Sequence, residues 1–419
     1  MRRREFLKVS AAGSSLVALD GLIPNFLGRT AAQAPTAERA GARDTILVVV
    51  QLTGGNDGLN TVIPLHDPLY AKYRPTIKVA PEQIKKLDDN VGLHPQLSAF
   101  ADLHQEQSLC TIQGVGYPNP NQSHFRSMDI WQAASTAETL TEGWIGKSLK
   151  GMPKAGSFHL TAPNESAPLA LSGAPVRVPS ITSLADFQLR TNSNTAGKGE
   201  RALIEAVSQP HSSPLPSGES GRGEGGLLDF VKRTAVNTYE SSKRLQEIAK
   251  NYEPKVTYPG LPLANRLKLA AQLIAADLGA RIFYVSIDGF DTHANQAAAH
   301  PLLLLEVSSA ISAFYKDMAA QGHKDRIAIM TFSEFGRRAK ENGSRGTDHG
   351  SAAPMFLVGG RVKPGVVGSH PNLEKLEDGN LVHHTDFRQV YAAVLDQWLG
   401  LSSKEVLGKE YKALDLFKS

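Results

Sequence analysis

The sequence has few of the features that would mark a disulfide-stapled or membrane-spanning protein. Its 419 residues include one cysteine, Cys110, so an intramolecular disulfide is excluded. A membrane span requires about 20 predominantly apolar residues, and we expect none in this chain. An obvious internal repeat is also missing, which argues against a solenoid or propeller. What remains is a chain long enough for one large or two smaller globular domains.

The formal net charge of +4 comes mostly from the first residues of the chain. Residues 1–34 hold five basic and two acidic side chains, so the rest of the chain carries a net charge of only +1. A nucleic-acid-binding or membrane-surface protein would need clustered basic residues well beyond neutrality. We therefore expect neither nucleic acid nor a membrane surface as a partner.

The N-terminus has the order of features found in an export signal. The segment Arg3–Lys8 pairs two arginines with Phe and Leu, and an uncharged, mildly apolar stretch follows from Val9 to Leu19. Ala32–Ala34 then supplies the small-x-small pattern of a signal peptidase site. The pattern predicts a twin-arginine signal over residues 1–34, cleavage after Ala34, the twin-arginine translocase as partner, and a periplasmic or secreted mature protein without a membrane span. The alternative is a basic tail with no targeting role.

Buried strands alternate with amphipathic helices along the rest of the chain. Continuous runs of β-branched and other apolar residues are typical of strands that are covered on both faces in a parallel sheet. The sequence thus predicts an α/β fold with a mostly parallel central sheet flanked by helices. The predicted strands are Thr45–Leu52, Leu109–Gln113, Arg281–Ile287 and Arg326–Phe332, and the predicted helices include Ser123–Ala134, Pro301–Ala320 and Asp386–Leu399.

The middle of the chain has a different composition. Residues 191–226 are rich in Ser, Gly and Pro and offer too few apolar side chains to offset the entropy of ordering, which predicts a flexible insertion. Two helices, Leu227–Asn251 and Leu263–Leu278, are expected to follow as a lid or an outer layer. We treat residues 35–419 as a single α/β domain with this insertion.

Acidic and histidine residues follow three of the predicted strands. Asn56 and Asp57 come after the first strand, Asp291 and His293 after the third, and Glu334, Asp348 and His349 after the fourth. In parallel sheets, sites assemble where the carboxyl ends of strands meet. Carboxylates and imidazoles are ligands of divalent cations, so the pattern predicts a site for Zn, Mn, Mg or Ca.

Five motifs carry a resemblance to a known family. The twin-arginine start, GGNDGLN after the first strand, NQSHF at 121–125, GFDTHANQ at 289–296 and SEFGR…GTDHG within 333–350 resemble the DUF1501 family of exported bacterial proteins. The resemblance extends over nearly the whole mature chain. That family is in turn similar, more distantly, to the alkaline phosphatase and sulfatase superfamily. The resemblance implies an alkaline-phosphatase-like α/β core with, as in many members of the superfamily, two metal ions and a Ser, Thr or modified Cys nucleophile.

Carried over to this chain, the resemblance assigns metal-binding roles to Asp57, Asp291, His293, Asp348 and His349. The spacing of Asp291 and His293 is Asp-x-His, whereas three intervening residues are usual in the superfamily, so the geometry of that pair departs from its pattern. The resemblance places Ser123 at the nucleophile position, at the start of a helix that would stabilise an anion. Ser123 as a simple helix N-cap is the alternative.

Further residues complete the predicted site. His384, beside His383, would be a late metal ligand or part of a loop before the final helix. Glu334 would bind metal or pair with a neighbouring arginine. Asn56, His124 and Arg337 are assigned to substrate contacts.

Two functions remain open at this level. The first is an exported metal-dependent hydrolase of phosphate or sulfate esters, acting on a small molecule or a glycan through Ser123. The second is a metal-stabilised periplasmic or envelope binding protein without chemistry, because fold does not fix function. A third hypothesis is a serine hydrolase triad of Ser123, His349 and Asp348. The sequence favours it less, since no G-x-S-x-G elbow surrounds the serine.

Overall fold

The computed structural model describes residues 45–153, 155–163, 165–184, 247, 251–277 and 279–418. The predicted signal and the predicted flexible insertion lie outside the described residues. So does almost all of the predicted helix at 227–251.

Fourteen strands are present in the described part of the chain. In chain order they are β1 Ile46–Leu52, β2 Val62–Pro64, β3 Lys85–Lys86, β4 Val91–Leu93, β5 Leu109–Gly116, β6 Gly156–Leu160, β7 Ser180–Ile181, β8 Ala280–Ile287, β9 Ile327–Phe332, β10 Ala353–Gly359, β11 Gly365–Val367, β12 Leu376–Glu377, β13 Asn380–Leu381 and β14 Thr385–Asp386. All four predicted strands are found, and the second is longer than predicted.

The α-helices of the described residues are given in chain order as well. They are α1 Gly58–Thr61, α2 Pro68–Tyr73, α3 Ser98–Gln105, α4 His124–Ala133, α5 Trp144–Lys150, α6 Pro262–Ala275, α7 Gln296–Ala320, α8 Phe387–Ala393 and α9 Ser403–Leu407. A π-helical turn, Val394–Leu399, extends α8. It ends at Gly400, whose φ of 70° lies in the left-handed region, as the predicted helix end at this glycine requires.

Nine strands form one central sheet. Eight of them lie in the order β11-β5-β10-β9-β1-β8-β6-β7, and β14 pairs with β5. Every pairing is parallel except those of β10, which runs antiparallel to both β5 and β9. The predicted mostly parallel sheet is confirmed, and β10 is the strand that departs from it. Two small antiparallel sheets, β2-β4-β3 and β12-β13, lie beside it.

The central strand β1 is buried on both faces, as its continuous apolar run predicts. Ile46, Val48 and Val50 pack into one hydrophobic cluster, which contains side chains of α3, α6 and α7. Leu47 and Val49 point the other way, into a second cluster with side chains of α4, α5 and α8. Because successive side chains of a strand alternate in direction, helices on both faces are needed to bury such a run.

The longest helix begins earlier than its sequence suggests. A proline is most easily placed in the first turn of a helix, so the sequence predicts a start at Pro301. In the structure α7 starts at Gln296 and contains Pro301 within it. By length and composition α7 is apolar enough to cross a membrane. Its residues Leu304, Ile311 and Phe314 lie in the core beside β1. The absence of a membrane span in the mature chain stays a prediction.

The sheet brings three chain segments to one edge. β8 and β9 lie on either side of β1 and run parallel to it, with Leu52 opposite Ile287 and Gln51 opposite Phe332. The carboxyl ends of these three strands therefore meet, and the loops that follow them carry most of the predicted ligands.

Candidate metal centre

Two glycines allow the loops at this edge to approach one another. Gly54 and Gly55 follow β1 with φ values of 117° and 81°, in the left-handed region that favours glycine. A Cβ atom on Gly54 would overlap the backbone nitrogen of Asp291, and one on Gly55 would overlap the ring of Phe335. The glycine-rich turn is thus required by the close contact of the loops after β1, β8 and β9.

The guanidinium of Arg337 joins the same loops. Its Nε donates to the carbonyl of Gly55 at 2.7 Å, its Nη1 to that of Thr347 at 2.8 Å, and its Nη2 to that of Phe290 at 3.0 Å and to that of Gly54. Nη2 also lies 2.7 Å from Oδ1 of Asp291. The side chain of Arg337 is itself fully buried. The predicted substrate contact does not fit this position, because the side chain faces loop carbonyls rather than solvent; it positions Asp291 instead.

Three histidines converge on the carboxylate of Asp291. The Nε2 atoms of His293 and His349 lie 3.0 and 3.2 Å from Oδ1, and Nε2 of His124 lies 3.4 Å from Oδ2. The Nε2 atoms of His293 and His349 are 2.9 Å apart. We call His124, Asp291, His293 and His349 the His₃Asp centre. His124 comes from the start of α4, and the others come from the loops after β8 and β9.

Each of these imidazoles has an oxygen acceptor at its other nitrogen. Nδ1 of His124 lies 2.9 Å from Oε1 of Glu334, and Nδ1 of His349 lies 2.8 Å from the carbonyl oxygen of Gln122. Nδ1 of His293 lies 3.3 Å from Oδ1 of Asp348. Because these oxygens only accept, the Nδ1 atoms carry the protons, and in the neutral rings the Nε2 lone pairs face Asp291.

The three Nε2 lone pairs and the carboxylate of Asp291 repel one another unless a positive charge lies between them. The Nε2 atom of His124 is buried and has no hydrogen-bond partner. The ligand atoms of His124, Asp291 and His349 all lie within 4.8 Å of one another. Tetrahedral zinc with Zn–N bonds of about 2.0–2.1 Å implies separations of about 3.3 Å between ligand atoms. The donor set fits a divalent cation.

The electrostatics around the centre also favour a cation. Glu334, Asp291 and Asp348 supply three carboxyl groups, against two guanidiniums, that of Arg337 beside Asp291 and that of Arg338, whose charge acts on Asp348. Burial by itself raises the pKa of Asp291, but the hydrogen bond and charge of Arg337 outweigh it and lower this pKa to about 2. The hydrogen bond to Glu334 raises the pKa of His124, whereas burial lowers that of His349.

The centre is accessible from one side. The side chains of Asp291 and His293 are 47% and 44% exposed, whereas that of Glu334 behind them is fully buried. A catalytic metal site keeps one position open to water or substrate, unlike a closed structural site. The partial exposure of these ligands fits the open kind.

Asp57 lies apart from this group in a buried ion pair. Its two carboxylate oxygens accept from Arg74 at 2.5 and 2.9 Å, and Oδ2 also accepts from the amide of Gln296. Neither Asp57 nor Arg74 is exposed. Burial alone raises the pKa of Asp57, but Arg74 outweighs burial and the pKa is lowered. The predicted metal role does not fit, since a guanidinium already occupies the positions where a cation would bind.

The structure separates two other predicted residues from the centre. Nε2 of His384 lies 2.6 Å from the carbonyl oxygen of Ser369, and its ring packs against Gly114. Asn56 is fully buried, where its Oδ1 lies 3.0 Å from Nε2 of His300, so it faces no substrate. Glu334 and Asp348 do lie at the centre, but each contacts a histidine Nδ1 rather than the converging Nε2 atoms.

Ser123 immediately precedes α4, between two residues that contact the centre. The carbonyl of Gln122 bonds to His349, and the ring of His124 faces Asp291. Ser123 occupies the N-cap position, yet its side chain makes no capping hydrogen bond and is exposed. Among the described residues no hydrogen bond joins its hydroxyl to His349, and Asp348 pairs with His293 rather than with His349. The hydrolase triad considered from sequence is therefore not assembled.

Sequence reasoning missed two features of this region. One is the place of His124, which was assigned to substrate but lies among the converging imidazoles. The other is the pair of partners of Asp57: Arg74 belongs to no motif, Gln296 ends GFDTHANQ without an assigned role, and they lie 17 and 239 residues away in the chain. The sequence places His124 at a helix start beside Ser123. That position indicates that His124 lies near the site, but it does not indicate a ligand role.

The buried ion pair generates a stability prediction. Replacing Arg74 with Met leaves a buried carboxylate uncompensated, which we expect to lower the free energy of unfolding by about 3–5 kcal/mol in urea denaturation. The double variant with Asp57→Asn and Arg74→Met should lose less stability than Arg74→Met alone, because no buried charge is left unpaired. The control is Lys404→Met, since Lys404 forms an exposed pair with Glu410. This substitution should change the free energy of unfolding by less than about 0.5 kcal/mol.

The same pair sets a pH dependence. The pKa of Asp57 is lower in the folded than in the unfolded chain. Its contribution to the free energy of unfolding is therefore complete above the unfolded-state pKa of about 3.9 and is lost as pH falls through the folded-state pKa. The Asp57→Asn chain should lack this acid-sensitive component in unfolding measured between about pH 5 and 2. An identical pH profile for both chains would contradict the assignment.

Known proteins resemble the chain only distantly in structure. A protein of the alkaline phosphatase superfamily from Vibrio parahaemolyticus is 8% identical with a TM-score of 0.39, over 91% of this chain and 76% of that one. A sulfatase from Pseudoalteromonas sp. is 10% identical with a TM-score of 0.38, over 93% and 74%. Alkaline phosphatase from the Antarctic bacterium TAB5 is 12% identical with a TM-score of 0.31, over 76% and 92%. At these scores the likeness assigns no role to any residue.

The sequence comparison reaches one family. No curated protein matches the chain. The family model for DUF1501, described as a protein of unknown function, matches residues 230–409, which include GFDTHANQ and SEFGR…GTDHG but neither GGNDGLN nor NQSHF. The segment from 230 to 409 thus carries the DUF1501 pattern, and over that part of the chain the resemblance predicted from the motifs is confirmed.

Proposed function

We propose that the His₃Asp centre binds a divalent cation and that the chain is a metal-dependent hydrolase of phosphate or sulfate esters. The observation that carries the metal assignment is the buried Nε2 of His124, which has no hydrogen-bond partner and faces Asp291. The convergence of three imidazoles on one carboxylate supports it. Each imidazole is oriented by an oxygen at Nδ1, the outer contact that metal-binding histidines usually have.

The donor set favours some cations over others. Three imidazole nitrogens and one carboxylate suit zinc or another transition metal, whereas Mg²⁺ and Ca²⁺ prefer oxygen ligands. Of the four cations expected from sequence, Zn²⁺ and Mn²⁺ are thus the best fits. When bound, such a cation would act as a Lewis acid on an ester oxygen.

The protein itself supplies three further elements of an ester-cleaving site. Ser123 presents an exposed hydroxyl with no capping bond. The N-terminus of α4, a helix of ten residues, carries the partial positive charge that attracts an anionic phosphate or sulfate group. Glu334 holds the ring of His124 at Nδ1. The serine proton would leave to a neighbouring base, the role that activates a weak hydroxyl nucleophile.

A metal-stabilised binding protein without chemistry is the second candidate. The observation in its favour is the ion pair of Asp57 with Arg74. This carboxylate is the one that the superfamily resemblance assigns to metal, so a two-metal arrangement is not assembled in the described part of the chain.

The metal assignment is tested by metal analysis of the purified full chain. We expect about one zinc or manganese ion per chain and a higher thermal unfolding temperature with added metal. His349→Ala should lose both effects, while His66→Ala, an exposed histidine, should keep both. Equal metal content in the two variants would remove the His₃Asp centre from consideration.

The hydrolase assignment is tested by turnover of phosphate monoesters, phosphate diesters and sulfate esters. With Ser123 as nucleophile, Ser123→Ala should lower kcat on the order of a thousandfold or more. Ser135→Ala, just beyond the other end of α4, should leave it unchanged. Full activity in Ser123→Ala would exclude the serine nucleophile, and bound metal without turnover of any ester would favour the binding protein.

We also propose that the chain is exported by the twin-arginine translocase. That route carries folded cargo, so the His₃Asp centre would take up its cation before the protein crosses the membrane. In fractionated cells the mature chain should be periplasmic and begin at Pro35. R3K/R4K should hold it in the cytoplasm, while R29K, outside the arginine pair, should not. A wild-type chain that stays cytoplasmic at full length would contradict the proposal.

A further inference from the structure

A cavity of about 640 Å³ lies beside the start of α7. Its wall is formed by the chain after α2, by residues around His94, and by the first residues of α7. The volume is within the range of about 300–1,000 Å³ that small-molecule sites occupy. No member of the His₃Asp centre lines it, so the cavity is separate from the proposed metal site.

The wall of the cavity carries positive and neutral polar groups but no carboxylate. Lys78 and Lys85, both exposed, contribute ammonium groups. Three glutamines, Gln83, Gln96 and Gln296, contribute amide groups. Two lysines without a carboxylate in the same wall create a field that favours an anion.

A buried imidazole supplies an unused donor. His94 is 8% exposed and lines the cavity. Its Nδ1 accepts from the backbone N–H of Gln96 at 3.1 Å, so the ring proton lies on Nε2. Among the described residues Nε2 makes no hydrogen bond. Burial lowers the pKa of His94 to about 4, which keeps the ring neutral at pH 7. This N–H is available to donate to a ligand oxygen in the cavity.

The start of α7 adds a second source of positive potential. Gln296, Ala297 and His300 of its first turns line the cavity. The residue before them, Asn295, makes no side-chain capping bond to the first N–H groups. In a helix of 25 residues this end carries a partial positive charge that favours anions.

The nearest buried carboxylate does not cancel this potential. Asp57 lies behind Gln296, whose amide donates to it, and Asp57 is already neutralised by Arg74. The Oε1 atom of Gln296 accepts from Thr292 at 3.0 Å and from Thr347 at 2.6 Å. These threonines neighbour Asp291 and Asp348, so one glutamine connects the cavity wall to the loops of the His₃Asp centre.

We propose that this cavity binds a small organic anion that also carries hydroxyl groups, such as a sugar with a carboxylate, phosphate or sulfate group. The lysines and the start of α7 recognise the anionic group, and His94, Gln83 and Gln96 bond the hydroxyls. The site does not depend on the hydrolase activity proposed above.

The test is calorimetric titration of the full chain with glucuronate, glucose 6-phosphate, glucose 6-sulfate and glucose. Glucuronate has no ester bond, so its binding is measured whether or not the chain cleaves esters. We expect the three anions to bind and glucose to bind at least about tenfold more weakly, because charge-assisted hydrogen bonds are the stronger ones. His349→Ala, which removes a ligand of the metal centre, should still bind glucuronate.

Adjacent lysines provide matched variants. Lys85 lines the cavity, whereas Lys86 does not and pairs with Asp89 at the surface. Lys85→Gln should weaken glucuronate binding by about three- to tenfold, the effect of one exposed charge-assisted contact, and Lys86→Gln should leave it unchanged. In histidine-labelled wild-type protein, glucuronate should shift the Nε2 resonance of His94, a readout that needs no substitution.

Three results would overturn the proposal. One is the absence of binding by all three anions, and another is glucose binding as tightly as glucuronate. The third is loss of glucuronate binding in His349→Ala chains that remain folded, which would assign the anion to the metal centre instead.

Discussion

The buried guanidinium of Arg337 is the contact on which the geometry of the His₃Asp centre depends. The loops after β1, β8 and β9 would otherwise present their carbonyl oxygens to one another without donors, a costly arrangement in a buried space. One planar group with five N–H bonds satisfies carbonyls from all three and also fixes Asp291. The histidines then converge on a carboxylate that cannot move away from them. Two left-handed glycines, Gly54 and Gly55, make the close approach of these loops sterically possible.

A second buried cation, Arg74, organises the neighbouring region. It holds Asp57, and Asp57 in turn accepts from Gln296 at the start of α7. Gln296 also bonds to Thr292, which follows Asp291 in the chain, and to Thr347, which precedes Asp348. The His₃Asp centre and the cavity therefore share one polar network. Because each buried charge in it is paired, the network adds rigidity to both sites without leaving an isolated charge.

The His₃Asp centre and the cavity have opposite electrostatic character, although Gln296 connects their surroundings. Carboxyl groups dominate the His₃Asp centre and favour a cation. Lysines, amides and the start of α7 dominate the cavity and favour an anion. A charged ligand would be directed to one site and repelled by the other, because unpaired like charges at close range are unfavourable. This contrast is consistent with a protein that binds a metal and a polar organic molecule at the same time.

The sequence by itself determined the fold class, the central strands and the edge of the sheet where ligands gather. Apolar runs such as Thr45–Leu52 reveal burial on both faces, and parallel strands must end at one edge. Only the tertiary structure decided which polar residues share that edge. Asp57 and Asp291 both follow strands, yet Asp57 forms an ion pair with Arg74, whereas three imidazoles surround Asp291. Pairings between residues far apart in the chain leave no local pattern, because they depend on how loops pack after the sheet has formed.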